Sequence, residues 1–244
     1  MSILASITRG RRQLYRYLKY QLLAPTAPRL EGELRGRDVV IVGSAPVSTR
    51  PAGWDGNFRV ISINASQMAA RAWLSETPDV TLMQFNQIEG TNANAREVRR
   101  VLAGQRTGIL YVIHWRHGLA RLQAGLAGFG YGCDSLRLMG RYERIALMRA
   151  ATGRLNLELE ADSKWSNGIV AAALAIHSGA RNVILTGINP KSSGHGYNAL
   201  DLKRLHADSD LEALRLFLAR GYPLHTADPG VAAATGLPLW SPPA

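Results

Sequence analysis

The chain has 244 residues, 46% of them hydrophobic, with 29 Lys and Arg against 18 Asp and Glu, a formal net charge of +11. That length allows one large domain or two small ones, and the apolar fraction supports a sizeable core. No apolar run reaches the roughly 20 residues a spanning helix needs, and the single cysteine, Cys133, excludes an internal disulfide and any cysteine-cluster zinc site.

Residues 1–36 read as a basic amphipathic segment followed by a linker. The first 30 residues hold Arg9, Arg11, Arg12, Arg16, Lys19 and Arg29 and no acidic residue. Leu14, Leu18, Leu22 and Leu23 are interleaved with Tyr15, Tyr17 and Tyr20, so a helix here is basic on one side and aromatic or apolar on another. Two readings stand side by side. One is a helix lying on an anionic membrane surface, where each basic residue near lipid contributes about 1 kcal/mol. The other is a solvated basic helix packed on its own domain. The basic residues follow the short apolar start and no cleavage pattern appears, which is not the order of a secretory signal. A second basic run, Arg137, Arg141, Arg144, Arg149 and Arg154, extends the same surface. No helix-turn-helix, zinc-finger or RNP pattern accompanies the charge, so no nucleic acid partner is expected. "APTAPRLEGELRGR" at 24–37 is punctuated by Pro and Gly as linkers are.

From 37 to 230 short apolar runs alternate with helical stretches. Strands are predicted at 38–43, 59–64, 80–85, 108–115, 182–188 and 223–227, each a near-continuous β-type run of the kind buried on both faces. Helices are predicted at 67–76, 94–104, 135–153, 167–180 and after His206. This rhythm predicts an α/β fold, a Rossmann-like parallel sheet with helices on both faces. The polar, Gly/Ser-rich stretch 189–208 is long for a connection and reads as a small lid. Residues 231–244 read as a C-terminal tail.

In open parallel sheets ligands bind beyond the carboxyl ends of the strands. Those ends carry Gly43 and Ser44, Asn64, Asn86, and Gly187 with Asn189. Asparagine offers both donors and acceptors to a sugar or base edge, although a single Asn more often caps a turn. "KWSNGIV" at 164–170 opens a helix of small residues, with Ser166 or Asn167 as cap and Gly168 permitting close approach. His206 precedes a helix for which Ser209 and Glu212 have capping-box spacing. Asp208-Ser209-Asp210 has the D-x-D form used by metal-dependent nucleotide-sugar transferases, but at a helix start acids are favoured by the dipole alone. Among the other histidines, His114 and His117 flank Trp115 at a strand end where either could touch an acceptor. His195 falls in the lid, and His177 and His225 read as structural.

"KWSNGIVAAALAIHSGARNVILTGIN", a polar loop with Tyr197, and "HADSDLEALRLFLARGYPLHTAD" together resemble the bacterial sialyltransferases of glycosyltransferase family 42. "VVIVGSAPV" and "VISINAS" are similar to that family's first two strand-loop units. The resemblance covers roughly 37–230. It implies a GT-A-like variant fold and inverting transfer of sialic acid from a CMP-activated donor to a glycan or glycolipid acceptor. It implies no metal and no cofactor beyond the donor. Carried over, His206 is the general base, Tyr197 a lid contact to the departing phosphate, and Lys164 a cationic partner in the place of the family's arginine. Gly43, Ser44 and Asn64 are donor contacts, Ser166, Asn167 and Gly168 the turn that holds the nucleotide, and Gly187 with Asn189 the next strand end. Ser44 stands where the family usually has Asn, and Pro190 near the place of a second lid tyrosine. The resemblance also implies self-association to a homo-oligomer. With the basic amino segment, it predicts a cytoplasmic protein held peripherally at the inner face of the cytoplasmic membrane. A non-catalytic nucleotide-binding paralogue in surface-glycan assembly and a metal-dependent NDP-sugar transferase are the alternatives.

Overall fold

The computed structural model describes residues 3–74, 77–160, 162–190, 194, 196–197 and 206–243, with side chains from residue 8 onward. Seven strands form one parallel sheet: β1 (Asp38–Val42), β2 (Arg59–Ile63), β3 (Val80–Gln84), β4 (Arg106–Ile113), β5 (Gly132–Met139), β6 (Asn182–Thr186) and β7 (Leu224–Thr226). Their order is β5-β4-β3-β2-β1-β6-β7, and every pairing is parallel. The helices are α1 (Ile3–Leu23), α2 (Glu31–Leu34), α3 (Ser66–Ala69), α4 (Phe85–Glu89), α5 (Ala93–Leu102), α6 (Leu119–Ala127), α7 (Arg141–Thr152), α8 (Asn167–His177), α9 (Ala207–Ala219) and α10 (Pro229–Thr235). No helix among the described residues is long and apolar enough to cross a membrane.

Alternation along each strand divides the core into two layers. Val39 and Ile41 face α7, α8 and α9 in one apolar cluster with Ile61, Leu82 and Val183. Val40 and Val42 face the opposite side with Trp240 and Leu74, while Met83, Leu110 and Val112 on that side cover α5 and α6. Helix α8 is buried along nearly its whole length, which explains its lack of polar residues. Val231, Leu237 and Trp240 pack into these clusters, so 229–240 is applied to the sheet edge.

One expectation is corrected. Residues 135–139 are not the start of a helix but belong to β5; the helix begins only at Arg141, after Gly140, whose N–H donates to Glu143 Oε2 at 2.6 Å. β5 is an edge strand paired only with β4, half-exposed, with Leu138 in solvent. Its apolar residues therefore lack the continuous run that marks the buried strands.

Hydroxyl groups cross the sheet within its buried layer. Thr107 donates to the Pro78 carbonyl at 3.0 Å and Thr81 donates to Thr107 at 3.0 Å. Ser62 shares a 2.7 Å bond with Thr81, and the Tyr131 hydroxyl lies 3.2 Å from Thr81 and from Gln67 Oε1.

A buried ion pair fastens the segment 154–166 to the helices. Arg144 of α7 and Glu158 lie 3.0 Å apart, 3% and 0% exposed. Arg144 also donates to the Trp165 carbonyl, and Arg16 of α1 donates to the carbonyls of Leu157 and Glu158. Glu158 itself has φ of 52°. Burial pushes its carboxyl above the usual range, with Arg144, Arg141 and Lys164 pulling the other way. Breaking a buried pair from one side leaves an uncompensated charge. The substitution Glu158→Gln keeps the shape and removes the counter-charge, and is expected to cost about 3–5 kcal/mol of unfolding free energy in urea titration. A loss under about 1 kcal/mol, the range of exposed pairs, would show that the pair is no anchor.

Candidate functional site

Five strands, β1, β2, β3, β4 and β6, end at one cleft of about 570 Å³, and four of those ends have a backbone reason to be there. After β1 and β6 the chain turns through Gly43 and Gly187. A Cβ on Gly43 would stand 2.4 Å from the Gly187 carbonyl oxygen, and one on Gly187 2.7 Å from that of Gly43. The two turns are therefore in backbone contact, closed by Ala45 N–H donating to the Gly187 carbonyl at 2.8 Å. The buried Asp228 carboxylate accepts the Gly187 N–H, also at 2.8 Å. After β2 and β4 the turning residues are Asn64 and His114, held at φ of 52° and 63°. Left-handed backbone is costly for residues with a Cβ and gathers at functional sites. Asn64 Oδ1 accepts the Gln84 N–H at 3.0 Å.

The facing wall is the segment 164–168 with the start of α9. Ser166 caps α8, its hydroxyl accepting from the Ile169 N–H at 3.4 Å, and its own N–H donates to Asp210 at 2.7 Å. A Cβ on Gly168 would meet the Ile188 side chain at 2.9 Å, so a larger residue there would make that side chain shift where α8 approaches the β6 turn. His206, the N-cap residue of α9, lines the same cleft. The helix starts at Ala207, so Ser209 is its third residue rather than its cap; the predicted capping box is absent, and Ser209 donates instead to the Asp162 carbonyl at 2.6 Å. Asp210, the second acid of the D-x-D, is buried and committed to the Ser166 N–H. Among the described residues no group of three or more His, Cys, Asp or Glu side chains is placed to hold a metal.

The structure thus gathers His206, Lys164, Gly43, Ser44, Asn64, Ser166, Asn167, Gly168 and Gly187 around one cavity. Tyr197 is not in its lining. That ring is buried in the apolar cluster with Ala65, Met83, Trp115 and Leu122, beside the β1 turn, where the Gly196 N–H donates to the Ser44 carbonyl at 2.8 Å. Asn189 is half-buried just past the β6 turn and does not line the cavity either. Of the expected lid at 189–208, residues 191–193, 195 and 198–205, including Lys191 and His195, lie outside the described residues. Reading the sequence for strand ends missed Gln84, Gln87, Asn94, Arg144 and Asp210, which also line the cleft. Gln84 and Gln87 were signalled by "QFNQ" at the end of the third strand; the buried arginine had no local signal.

Arg144 and Lys164 line the cleft together with Asp210, and Glu158 pairs with Arg144, so the two cations and two carboxylates balance and Lys164 is the cation beside the α8 start. The first N–H groups of α8 add positive potential. Burial lowers the Lys164 ammonium below its ordinary range, with Glu158 opposing and Arg141 and Arg144 adding to the drop. Burial lowers His114 to about 3, with help from Arg144, Arg141, Lys164 and Arg116. Its ring is neutral at neutral pH. Gln84 Nε2 lies 3.4 Å from its Nδ1; with the amide donating, the proton sits on Nε2, which has no hydrogen-bond partner among the described residues.

No family model and no curated protein matches the chain. Solved structures do. The chain is similar to the sialyltransferase CstII from Campylobacter jejuni in complex with the substrate analogue CMP-3FNeuAc, at 16% identity and a TM-score of 0.53, covering 83% of this chain and 86% of that one. It is similar to the monofunctional α-2,3-sialyltransferase Cst-I from Campylobacter jejuni, at 16% identity and a TM-score of 0.57, covering 86% and 84%. CstII with a trisaccharide acceptor and CMP matches at 16% identity and a TM-score of 0.53, over 82% and 86%. At this identity the likeness establishes the fold, a Rossmann-like α/β sheet shared with these sialyltransferases.

The buried neutral imidazole sets a pH dependence. Below its ordinary value of 6.5 the unfolded His114 takes up a proton that the folded one, near 3, does not. Its contribution is therefore complete above 6.5 and is lost as pH falls toward 3, with a slope approaching about 1.4 kcal/mol per pH unit. Asparagine tolerates the left-handed backbone, so His114→Asn is the control. Urea unfolding of wild type is expected to weaken by about 2 kcal/mol more than that of His114→Asn between about pH 7 and pH 5. Parallel losses would show that the ring is solvated.

Proposed function

We propose that the chain is an inverting, metal-independent glycosyltransferase moving sialic acid or a related sugar from a CMP-activated donor to a glycan or lipid-linked acceptor. One observation carries this reading: His206, Lys164 and the cap of α8 converge with the β1, β2 and β6 turns on a single cleft. The solved structures that share the fold include complexes with CMP, a CMP-sugar analogue and an acceptor trisaccharide.

The chemistry follows from those positions. His206 takes the proton of the acceptor hydroxyl as its oxygen attacks the anomeric carbon. The bond from that carbon to the phosphate oxygen breaks, and its electron pair leaves on CMP. Lys164 and the amino-terminal N–H groups of α8 receive the growing phosphate charge. That task is assigned to them and not to Tyr197, which packs outside the cavity lining. Gly43, Ser44 and Asn64 contact the donor. A monophosphate leaving group lacks the two-phosphate chelate that a divalent cation grips, and Asp210 of the D-x-D is already occupied. On this reading the transfer takes place at the inner face of the cytoplasmic membrane, on lipid-linked acceptors.

The position of Tyr197 favours a second reading, a nucleotide-binding paralogue that has lost transfer. Release of CMP from CMP-sialic acid with a glycan acceptor separates the two. His206→Ala is expected to lower kcat/KM by about 10²–10⁴-fold, the usual range for a general base, with CMP affinity by calorimetry unchanged. EDTA is expected to leave turnover intact. CMP binding without transfer in wild type would favour the paralogue, and unchanged turnover in His206→Ala would reject the base.

A further inference from the structure

Over residues 8–23, helix α1 turns a row of apolar side chains away from the protein. The two buried residues of that stretch, Arg16 and Tyr20, face inward: Arg16 donates to the carbonyls of Leu157 and Glu158, and Tyr20 packs in a cluster with Ile145, Ala146 and Leu157. Leu14, Leu18 and Leu22 recur every fourth residue and so form one row. That row lies on the other side of the helix from Arg16 and Tyr20, two residues being roughly half a turn. Leu14 is 58%, Leu18 50% and Leu22 86% exposed, and Tyr15 beside them 61%. A helix serving only its own domain puts such a row into the core and its charges outside. Here the exposed Arg11 continues the row and the exposed Lys19 flanks it, while Arg12 lies on the inward side with Arg16.

We propose that this outward row is a docking surface for an anionic lipid bilayer, fixed to the body of the protein so that docking seats the cleft beside the membrane. The apolar row suits the acyl boundary and the flanking cations suit anionic headgroups. A second copy of the chain fits worse. Two-fold pairing of the rows would bring Arg11 and Lys19 of both copies into one contact, and residues 8–23 contain no acid to offset them. The helix is no loose tether. Arg16 holds the backbone of Glu158, whose carboxylate pairs with Arg144 in the cleft wall. Arg12 lies 3.7 Å from Glu160, four residues before Lys164 at the cleft. The purpose of this seating, access to a lipid-borne acceptor, rests on the glycosyltransferase reading; the binding itself does not.

Flotation of the full chain with vesicles tests it. Phosphatidylcholine vesicles with added phosphatidylglycerol are expected to bind the protein about tenfold or more tightly than phosphatidylcholine alone, and raised salt to weaken that binding. The triple substitution Leu14→Glu, Leu18→Glu, Leu22→Glu is expected to lower partition by about tenfold or more while circular dichroism and CMP affinity match wild type, because these side chains are exposed. Absence of binding to the anionic vesicles, or equal binding by the triple variant, overturns the proposal. So does a lipid-free dimer in sedimentation that the triple variant turns into monomer, which assigns the row to a second copy. Vesicle binding with no sugar transfer upholds the docking surface and counts against the glycosyltransferase reading.

Discussion

The Arg144–Glu158 pair is the fastening on which the cleft depends. Among the described residues the segment 154–166 has no helix or strand of its own; the pair and the Trp165 carbonyl pin it to α7, and Asp210 and Ser209 hold it to α9. Both partners are almost fully buried, so their desolvation is offset only by close geometry and added hydrogen bonds. Arg16 supplies one of those bonds from α1. The amino-terminal helix, the cleft wall and α7 are thereby one mechanical unit.

Opposite that wall the cleft is shaped by backbone conformation. Gly43 and Gly187 let two turns touch, and Asn64 and His114 accept a left-handed conformation that residues with a Cβ ordinarily avoid. Surrounding bonds hold them there: Asn64 Oδ1 to the Gln84 N–H, and the His114 N–H to the Met139 carbonyl at 2.9 Å. Strain of this kind, at two strand ends of one cavity, supports a binding role more strongly than the residue types do alone.

Much of the fold was legible because buried parallel strands are near-continuous apolar runs, and six of seven were placed from that signal. β5 was not, since an edge strand with one neighbour needs few apolar residues and merges in sequence with the helix after Gly140. At the site, Ser166 and Gly168 were legible because a cap and a close approach each demand a particular residue type. His206 was placed in the cleft, but by resemblance and not by the capping box, which the helix start at Ala207 displaces. The cap was misread because Ser and Glu three apart also occur inside helices. Arg144 and Glu158 stood in the sequence as ordinary surface-type charges; only tertiary packing selects them as partners. Tyr197 was expected over the cleft, yet its buried ring belongs to the apolar cluster that also holds Ala65 and Met83.

The hydroxyl chain from Ser62 through Thr81 to Thr107 has a consequence for the cleft floor. These groups lie under three neighbouring strands, and sliding any strand by one position would point a hydroxyl into hydrocarbon and break the chain. The sheet is therefore keyed, like a lock whose pins sit at a single height. Asn64, Gln84 and His114, mounted on those same strands, inherit a fixed spacing, so any tolerance toward differently shaped sugars has to reside in the facing wall.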